Sequence, residues 1–484
     1  YDATTPYHTQ VLVPGAFLSP LQQAGASQDR RDSAILGGPQ EDNIGRTSGH
    51  LLNLSWTLSD QLELKSISSY RELTQGQFDM GLVDAISAYG GAGTPFGRYS
   101  LAQVYQHQYS QELQLIGNTD QLQFLGGAFF YHETAGDNAQ TPNMLVWGPG
   151  GNSYTVNPAT NPLDLSKVRV DRASKAWTDS LGVFGQATWT PESMDRLHLT
   201  AGARYTRDDK KGNLYTVNGA ATQLAFNDRW SRFDPMVNIA YDLGGQAMVY
   251  VRYSTGFKAG GANSRSTNYT AFGPEEVTAY ELGFKSQFWD DRARLNVALF
   301  DATIAHKQMD FSLPFDPNSG ETRTTMVTTN ALGDGRSRGA ELEFNVMPVD
   351  NLTLALNYAY TKIDAQTAVD PFGAGVQVTV QPLLAPKNAG SLAIDYLVPF
   401  ANFSALKFHV DGNWSDGFYT SEYDQMLTDR SFVVNARVAL VDVPMNSTGT
   451  TMSFSLWARN LLDEQHLFYK LNSPALGQTG IFND

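Results

Sequence analysis

The fold class predicted by this sequence is all-β, an antiparallel barrel that crosses a membrane, and three observations point to it. Runs with a side-chain period of two dominate the chain, each with one apolar and one polar face. The runs extend for about ten residues, enough to cross the apolar layer of a bilayer when tilted near 45°. Their connections alternate short and long from one end of the chain to the other.

Residues 1–49 read as a loop or pre-strand segment, and HLLNLSWTL (50–58) is the first clear strand. LHLTAGARYTR (197–207) sets Leu197, Leu199, Ala201, Ala203 and Tyr205 against His198, Thr200, Gly202, Arg204 and Thr206. In AMVYVRYSTGF (247–257), Ala247, Val249, Val251, Tyr253 and Phe257 oppose Tyr250, Arg252 and Ser254. TAYELGFKSQ (278–287) places Tyr280, Leu282 and Phe284 opposite Glu281, Gly283, Lys285 and Gln287. NLTLALNYAYT (351–361) and FVVNARVAL (432–440) repeat the pattern, and TMSFSLWARN (451–460) closes a set of about sixteen strands. Residues 461–484 read as a last outer loop without a clean final strand.

Short turns fall at 59–61, 117–120, 191–195, 242–246 and 347–350, with a longer one at 441–450. Long polar stretches occupy 71–104, 133–177, 208–231, 258–276, 305–336 and 365–388. Outer-membrane barrels have short periplasmic turns and larger outside loops. A soluble sandwich also alternates, but loops above about 15 residues are uncommon in compact domains. Trp56, Trp189, Tyr205, Tyr253 and Phe257 sit near strand ends, where an interfacial belt belongs. Backbone groups in lipid must pair between strands, so these observations predict a closed ring.

Composition narrows the function. Against 49 Asp+Glu stand 34 Lys+Arg, a formal charge of -15, which disfavours a nucleic-acid partner. With no cysteine, disulfides, thiol catalysis and Cys-ligated zinc are excluded. No apolar run reaches the roughly 18 residues of a membrane helix, and the first residues lack the features of a signal peptide.

Several motifs occur in series: ARYTRDDK (203–210) after GVFGQATWTP (182–191), YSTGFKAGG (253–261), PEEVTAYELGFKSQFWDDRARLNVALFDA (274–302), NALGDGRSRGAELEF (330–344), APKNAG (385–390) and LWARNLLDEQ (456–465). By these motifs the chain resembles the TonB-dependent outer-membrane receptors of Gram-negative bacteria, over roughly residues 45–470. Gly256, Phe257, Gly260, Glu281, Gly283, Gly339, Glu341 and Asn460 are the motif residues, expected to be structural.

The resemblance implies a 22-strand barrel filled by an N-terminal plug. Nothing here resembles that plug, and the sixteen strands correspond to the sixth through the twenty-first. The chain is therefore expected to be the barrel portion of a longer receptor, with its last strand missing. The implied activity is energised import of a scarce solute, an iron chelate such as a ferric siderophore before a carbohydrate or other nutrient. A passive porin or specific channel is the alternative. The implied partners are outer-membrane lipid and lipopolysaccharide, a small solute, and a TonB-type inner-membrane complex reached through an N-terminal part outside this sequence. Whether an accessory lipoprotein joins them is left open. No cofactor is expected.

Local motifs for chemistry fail on context. GRSRG (335–339) spells a nucleophile elbow, but Ser337 runs into the strand AELEFNV rather than a helix. His132 and Glu133 lack the second histidine of a zinc protease. DPNSGE (316–321) lacks the ligand spacing of a calcium loop. The glycines of YSTGFKAGG are not a nucleotide loop, since no Lys-Ser/Thr follows at the required spacing. No catalytic or metal residue is assigned, and the chain is not expected to be an enzyme.

Candidates for solute contact lie on polar strand faces and in long loops. Arg204 and Arg252, with Glu281, Lys285, Glu341, Glu343, Asn357, Asn435 and Arg437, belong to the polar faces, where wall hydrogen bonding is the plain alternative. Lys258 begins an outer loop. Tyr89, Phe96, Trp147, Tyr154 and Tyr269 are loop aromatics able to stack on planar or sugar groups.

Overall fold

A computed structural model describes residues 9–32, 43–79, 87–98, 100–157, 170–312, 326–373, 375–400, 404–423, 426–445, 449–473 and 476–483. The acidic stretch 316–321 lies outside them. The chain begins with β1 (Gln10–Pro14) and a short helix α1 (Pro20–Ala24). A first hairpin, β2 (Ile44–Ser59) and β3 (Leu62–Asp79), precedes β4 (Pro95–Arg98), β5 (Ser100–Asn118) and β6 (Leu122–Gln140). Next come β7 (Asn143–Trp147), β8 (Tyr154–Val156), β9 (Arg172–Trp189) and β10 (Leu197–Val217). They lead to β11 (Ala220–Gly244), β12 (Ala247–Lys258), β13 (Gly261–Ala262) and β14 (Ala271–Phe272). Then follow β15 (Glu275–Phe288), β16 (Ala293–Ala305), β17 (Gln308–Ser312) and β18 (Met326–Asn330). β19 (Gly335–Val349), β20 (Leu352–Ile363), β21 (Gln366–Val369) and β22 (Gln377–Val380) continue the series. It ends with β23 (Asn388–Pro399), β24 (Ala405–Ser415), β25 (Ser431–Pro444), β26 (Thr451–Ala458), β27 (Leu467–Ser473) and β28 (Gly477–Phe482).

Sixteen of these strands form one antiparallel sheet in the order β2-β3-β5-β6-β9-β10-β11-β12-β15-β16-β19-β20-β23-β24-β25-β26. The sheet is open. Among the described residues β2 pairs only with β3 and β26 only with β25, so no sheet there closes into a barrel. The closed ring expected from the sequence is therefore corrected to an open sheet, while the sixteen strands expected of this chain are the number found in it. Closure requires the two edge ladders to meet each other, and period-two alternation within a strand carries no information about which edge it meets.

Register fixes the faces. Ile239, Val251, Leu282 and Leu299 are successive cross-strand partners, and so are Val237, Tyr253 and Tyr280. One residue away, Asn238, Arg252 and Glu281 line up on the opposite face. Because the side-chain period is two, these rows separate an apolar surface from a polar one. Val251 and Leu282 are 54% and 50% exposed, part of an apolar surface too extensive for a protein surrounded by water.

Close approach explains two of the motif glycines. A Cβ on Gly283 would overlap the Tyr250 ring across the strand pair, and one on Gly339 would overlap the Tyr360 carbonyl and the Phe300 ring. Gly256 differs, since a Cβ there would meet open space, so crowding is not its reason. Asn460 turns the chain with φ 46° while its side chain bonds the backbone N–H and carbonyl of Glu464 at 2.9 and 2.8 Å.

The stretch 208–231 is not a loop. β10 and β11 run 21 and 25 residues as one tall hairpin, turned by Asn218 and Gly219 at φ 49° and 72°. That is the asparagine–glycine turn whose twist matches paired strands. Ser337 lies inside β19, paired with Ala302 and Ile363, which is not the setting of a nucleophile elbow.

Smaller sheets occupy the long connections: β4-β7-β8, β13-β14, β17-β18 and β21-β22. A further one, β1-β28-β27, joins residues from the two ends of the chain. These pieces contain dry cores. Met309, Phe311, Ala331, Ala368 and Val380 form one, shared between β17, β21, β22 and the segment after β18.

Candidate solute-binding mouth

The polar face of the large sheet is cross-linked by its own side chains. Glu281 accepts the Tyr250 hydroxyl at 2.6 Å, and Asn296 donates to Glu343 at 3.0 Å. Arg204 is held between the rings of Phe129 and Phe184, 5.5 and 5.4 Å from their centroids, and its Nε donates to Thr206 at 3.0 Å. Such bonding suits a wetted wall, where polar groups need partners. Arg252 stands opposite Glu281 on the same face and is exposed.

Where β5, β6 and β9 to β12 rise to meet the loops, they border a half-open cavity of about 560 Å³ with the β13-β14 and β17-β18 hairpins. The strand side contributes Lys210, Lys258 and Phe226, and the loop side contributes Tyr269, Phe272, Gln308, Asp310 and Thr328. Lys210 reaches across to the Gly260 carbonyl at 3.0 Å. A Cβ on Gly260 would overlap the Phe272 carbonyl and crowd Trp230, so glycine is required there by close approach.

The loop side is fixed by side-chain-to-backbone bonds. Gln308 donates to the carbonyls of Ala259 and Gly273, both at 3.0 Å. Asn330 accepts from the Gly273 N–H at 2.6 Å and donates to the His306 carbonyl at 2.8 Å. Tyr269 is 8% exposed, with its ring edge-on to Phe226 at 6.4 Å. Burial first, then Tyr215 and the charge of Asp137, push its phenol up to about 12. It is therefore a neutral wall rather than an acid or base at ordinary pH.

Lys258 and Tyr269 are thus brought into one cavity, as loop residues singled out from sequence. Tyr89, Phe96, Trp147 and Tyr154 are brought together elsewhere, around the β4-β7-β8 sheet. Phe96 stacks on Trp147 at 3.8 Å between centroids, Trp147 is 2% exposed, and Tyr89 and Tyr154 pack edge-on against that pair. These rings form a small core. Arg204 and Arg252 lie outside the cavity lining.

Sequence reasoning missed Lys210, Phe226, Gln308 and Thr328. Lys210 had a signal: it continues the polar phase of Arg204, Thr206 and Asp208, hidden once 208–231 is taken for a loop. A second cavity, of about 500 Å³, lies on the polar face of β24–β26 beside the open edge. There His409 bridges Asp395 and Asp411 at 3.1 and 3.2 Å.

Comparison with known proteins places this architecture. The family described as "TonB dependent receptor-like, beta-barrel" matches residues 2–461. Among characterised proteins, the chain is similar to the metal-pseudopaline receptor CntO of Pseudomonas aeruginosa, 28% identical over 193 residues. That match covers 40% of this chain and 25% of CntO. It is also 24% identical over 170 residues to the ferric-pyoverdine 358 receptor of Pseudomonas putida, covering 35% of this chain and 20% of that one. The fold resembles the ferric yersiniabactin uptake receptor FyuA of Yersinia pestis, with TM-score 0.67 at 16% identity. The match takes in 92% of this chain and 62% of FyuA. The siderophore receptor PiuA of Acinetobacter baumannii gives TM-score 0.65 at 17% identity, covering 91% and 64%.

Proposed function

We propose, from the premise that this chain belongs to the TonB-dependent receptor β-barrel family, that its parent protein imports a metal chelate, a ferric siderophore first of all, using energy from a TonB-type inner-membrane complex. The chain is an outer-membrane protein, and its family is one of receptors rather than enzymes. Solute binds at the mouth formed by the loop layer and the upper polar wall, with Lys258 and Tyr269 among its contacts. Release to the periplasm then follows rearrangement driven from the inner membrane. Short turns face the periplasm and the long connections face outward.

One observation supports this reading above the others: a preformed, polar-lined cavity sits where the strand wall meets the long loops. The relatives add to it, being named for metal-pseudopaline, ferric pyoverdine and ferric yersiniabactin. The test is uptake of radioiron presented on defined siderophores to cells carrying or lacking the intact receptor. Receptor-dependent uptake should stop when the proton gradient is collapsed. Uptake that persists after collapse, following concentration alone, would replace this reading with a passive channel.

A further inference from the structure

The cavity between the β10–β12 wall and the loops is lined by three lysines, Lys210, Lys211 and Lys258, none of which makes an ion pair among the described residues. Lys210 donates only to the Gly260 carbonyl at 3.0 Å, and Lys258 makes no ion pair among the described residues. The charge of Lys258 acts on Lys210, as do the opposing charges of Asp208, the stronger influence, and Glu133. Two like charges facing one cavity are unfavourable unless an anion or water separates them. The arrangement stands out in a chain of net charge -15.

Two carboxylates also line this space. Asp137 is already neutralised by Arg172, whose guanidinium bonds it at 2.7 Å. Asp310, on the loop side, accepts the Thr328 hydroxyl at 2.6 Å. On the strand side Asp208 and Glu133 offset part of the charge on Lys210 and Glu275 stands across the ladder from Lys258, yet the lining itself sets three lysines against Asp310 as the one carboxylate without an ion pair among the described residues. Beside them, Phe226 and Tyr269 meet edge to face, Phe226 lies parallel to Trp230 at 6.1 Å, and Phe272 completes the apolar wall. A volume of about 560 Å³ falls within the range of small-molecule sites.

We infer that this cavity binds a small anion with an aromatic ring, an aromatic carboxylate in chemical class, with the anion between Lys210 and Lys258 and the ring against Phe226 and Phe272. The inference rests on the import reading for its biological use but not for its chemistry. A charge-assisted contact from each lysine orients the carboxylate, and the rings supply contact area without adding charge. A neutral amide of the same shape forfeits those charge-assisted contacts.

The test uses the purified protein in detergent, titrated by calorimetry with salicylate and with the isosteric neutral salicylamide. Salicylate should bind more tightly, and raising salt should weaken salicylate but not salicylamide. Lys258→Gln should weaken salicylate about tenfold, the size expected for one charge-assisted contact, with recovery in Lys258→Arg. Lys258 is exposed at a strand end, so its variants are not expected to disturb folding, whereas Lys210→Gln also removes a contact to the loop layer. Equal affinity for the two probes, or unchanged salicylate affinity in Lys258→Gln, would overturn the inference. Failure here would leave energised uptake in cells standing, and passive uptake in cells would leave this binding standing.

Discussion

Val251 and Leu282 in the strand wall are 54% and 50% exposed, whereas Phe311 and Leu145 in the loop layer are 0% and 1% exposed. The same residue types are used in opposite ways. In the wall, strands are joined by continuous backbone ladders, and the apolar faces point outward for lipid to cover. In the loop layer, strands of two to seven residues hold together because they bury small cores between them. The wall is thus a membrane structure and the layer above it a cluster of water-soluble ones. An outward Val-to-Leu change should matter little in the first and more in the second, where packing is tight.

Substitutions in the two regions should separate these modes. The largest effect is expected for Phe311→Ala, at about 3–5 kcal/mol of local stability, because a fully buried ring is removed from a core shared by two connections. Hydrogen exchange should show β17, β18, β21 and β22 losing protection together while β15 and β16 keep theirs. Equal loss in both sets would mean that loop layer and wall are one cooperative unit.

Next in size is Val251→Arg, expected to cost about 2–4 kcal/mol where lipid covers the apolar band. Folding titrations into vesicles provide the measurement. The neighbouring Arg252→Gln, on the polar face, should cost far less, and equal penalties would show the faces to be misassigned.

Acid should act on the loop layer through Asp429. Burial favours its neutral form, but the ammonium of Lys470 at 2.7 Å and the Leu467 N–H at 2.9 Å outweigh this and hold the carboxyl below the usual range. A depressed folded value stabilises above the unfolded value of about 3.9 and is lost as pH falls through the folded value. Exchange protection of β27 should therefore decline below about pH 4, and Asp429→Asn should abolish that decline. The smallest effect belongs to Arg292→Ala in a short turn, where the 2.6 Å pair joins a half-buried Arg292 to an exposed Asp350. Under about 1 kcal/mol is expected from vesicle folding titrations.

The wall was legible because alternation is local: Val249, Val251 and Tyr253 state their common face without reference to any partner. The motif set also gave the family. Closure was not legible, because pairing at β2 and β26 depends on which strand lies beside each edge. The loop layer was hidden for a related reason: Gln10–Pro14 pairs with residues 477–480 across the whole chain, and no local pattern announces that. Loop aromatics were visible as residues but not as neighbours, so Phe96 and Trp147 were expected to be available to solute and instead stack on each other. Asn218 and Gly219 could have revealed the tall hairpin, had their turn chemistry been weighed above the polarity around them.

That hairpin has a thermodynamic consequence for anything bound at its flank. Lys210 is mounted on a strand hydrogen-bonded on both sides, to β9 and β11, rather than on a free loop. Its backbone has been ordered by folding and has little freedom left to lose when a ligand arrives. A side chain on such a support gives up only its own rotamers, about 0.5–1.5 kcal/mol, where a wandering loop would also lose backbone entropy. Affinity at this position should therefore depend weakly on temperature-driven loop motion, and chains with the same lysine moved to a mobile segment should bind with a larger entropic penalty.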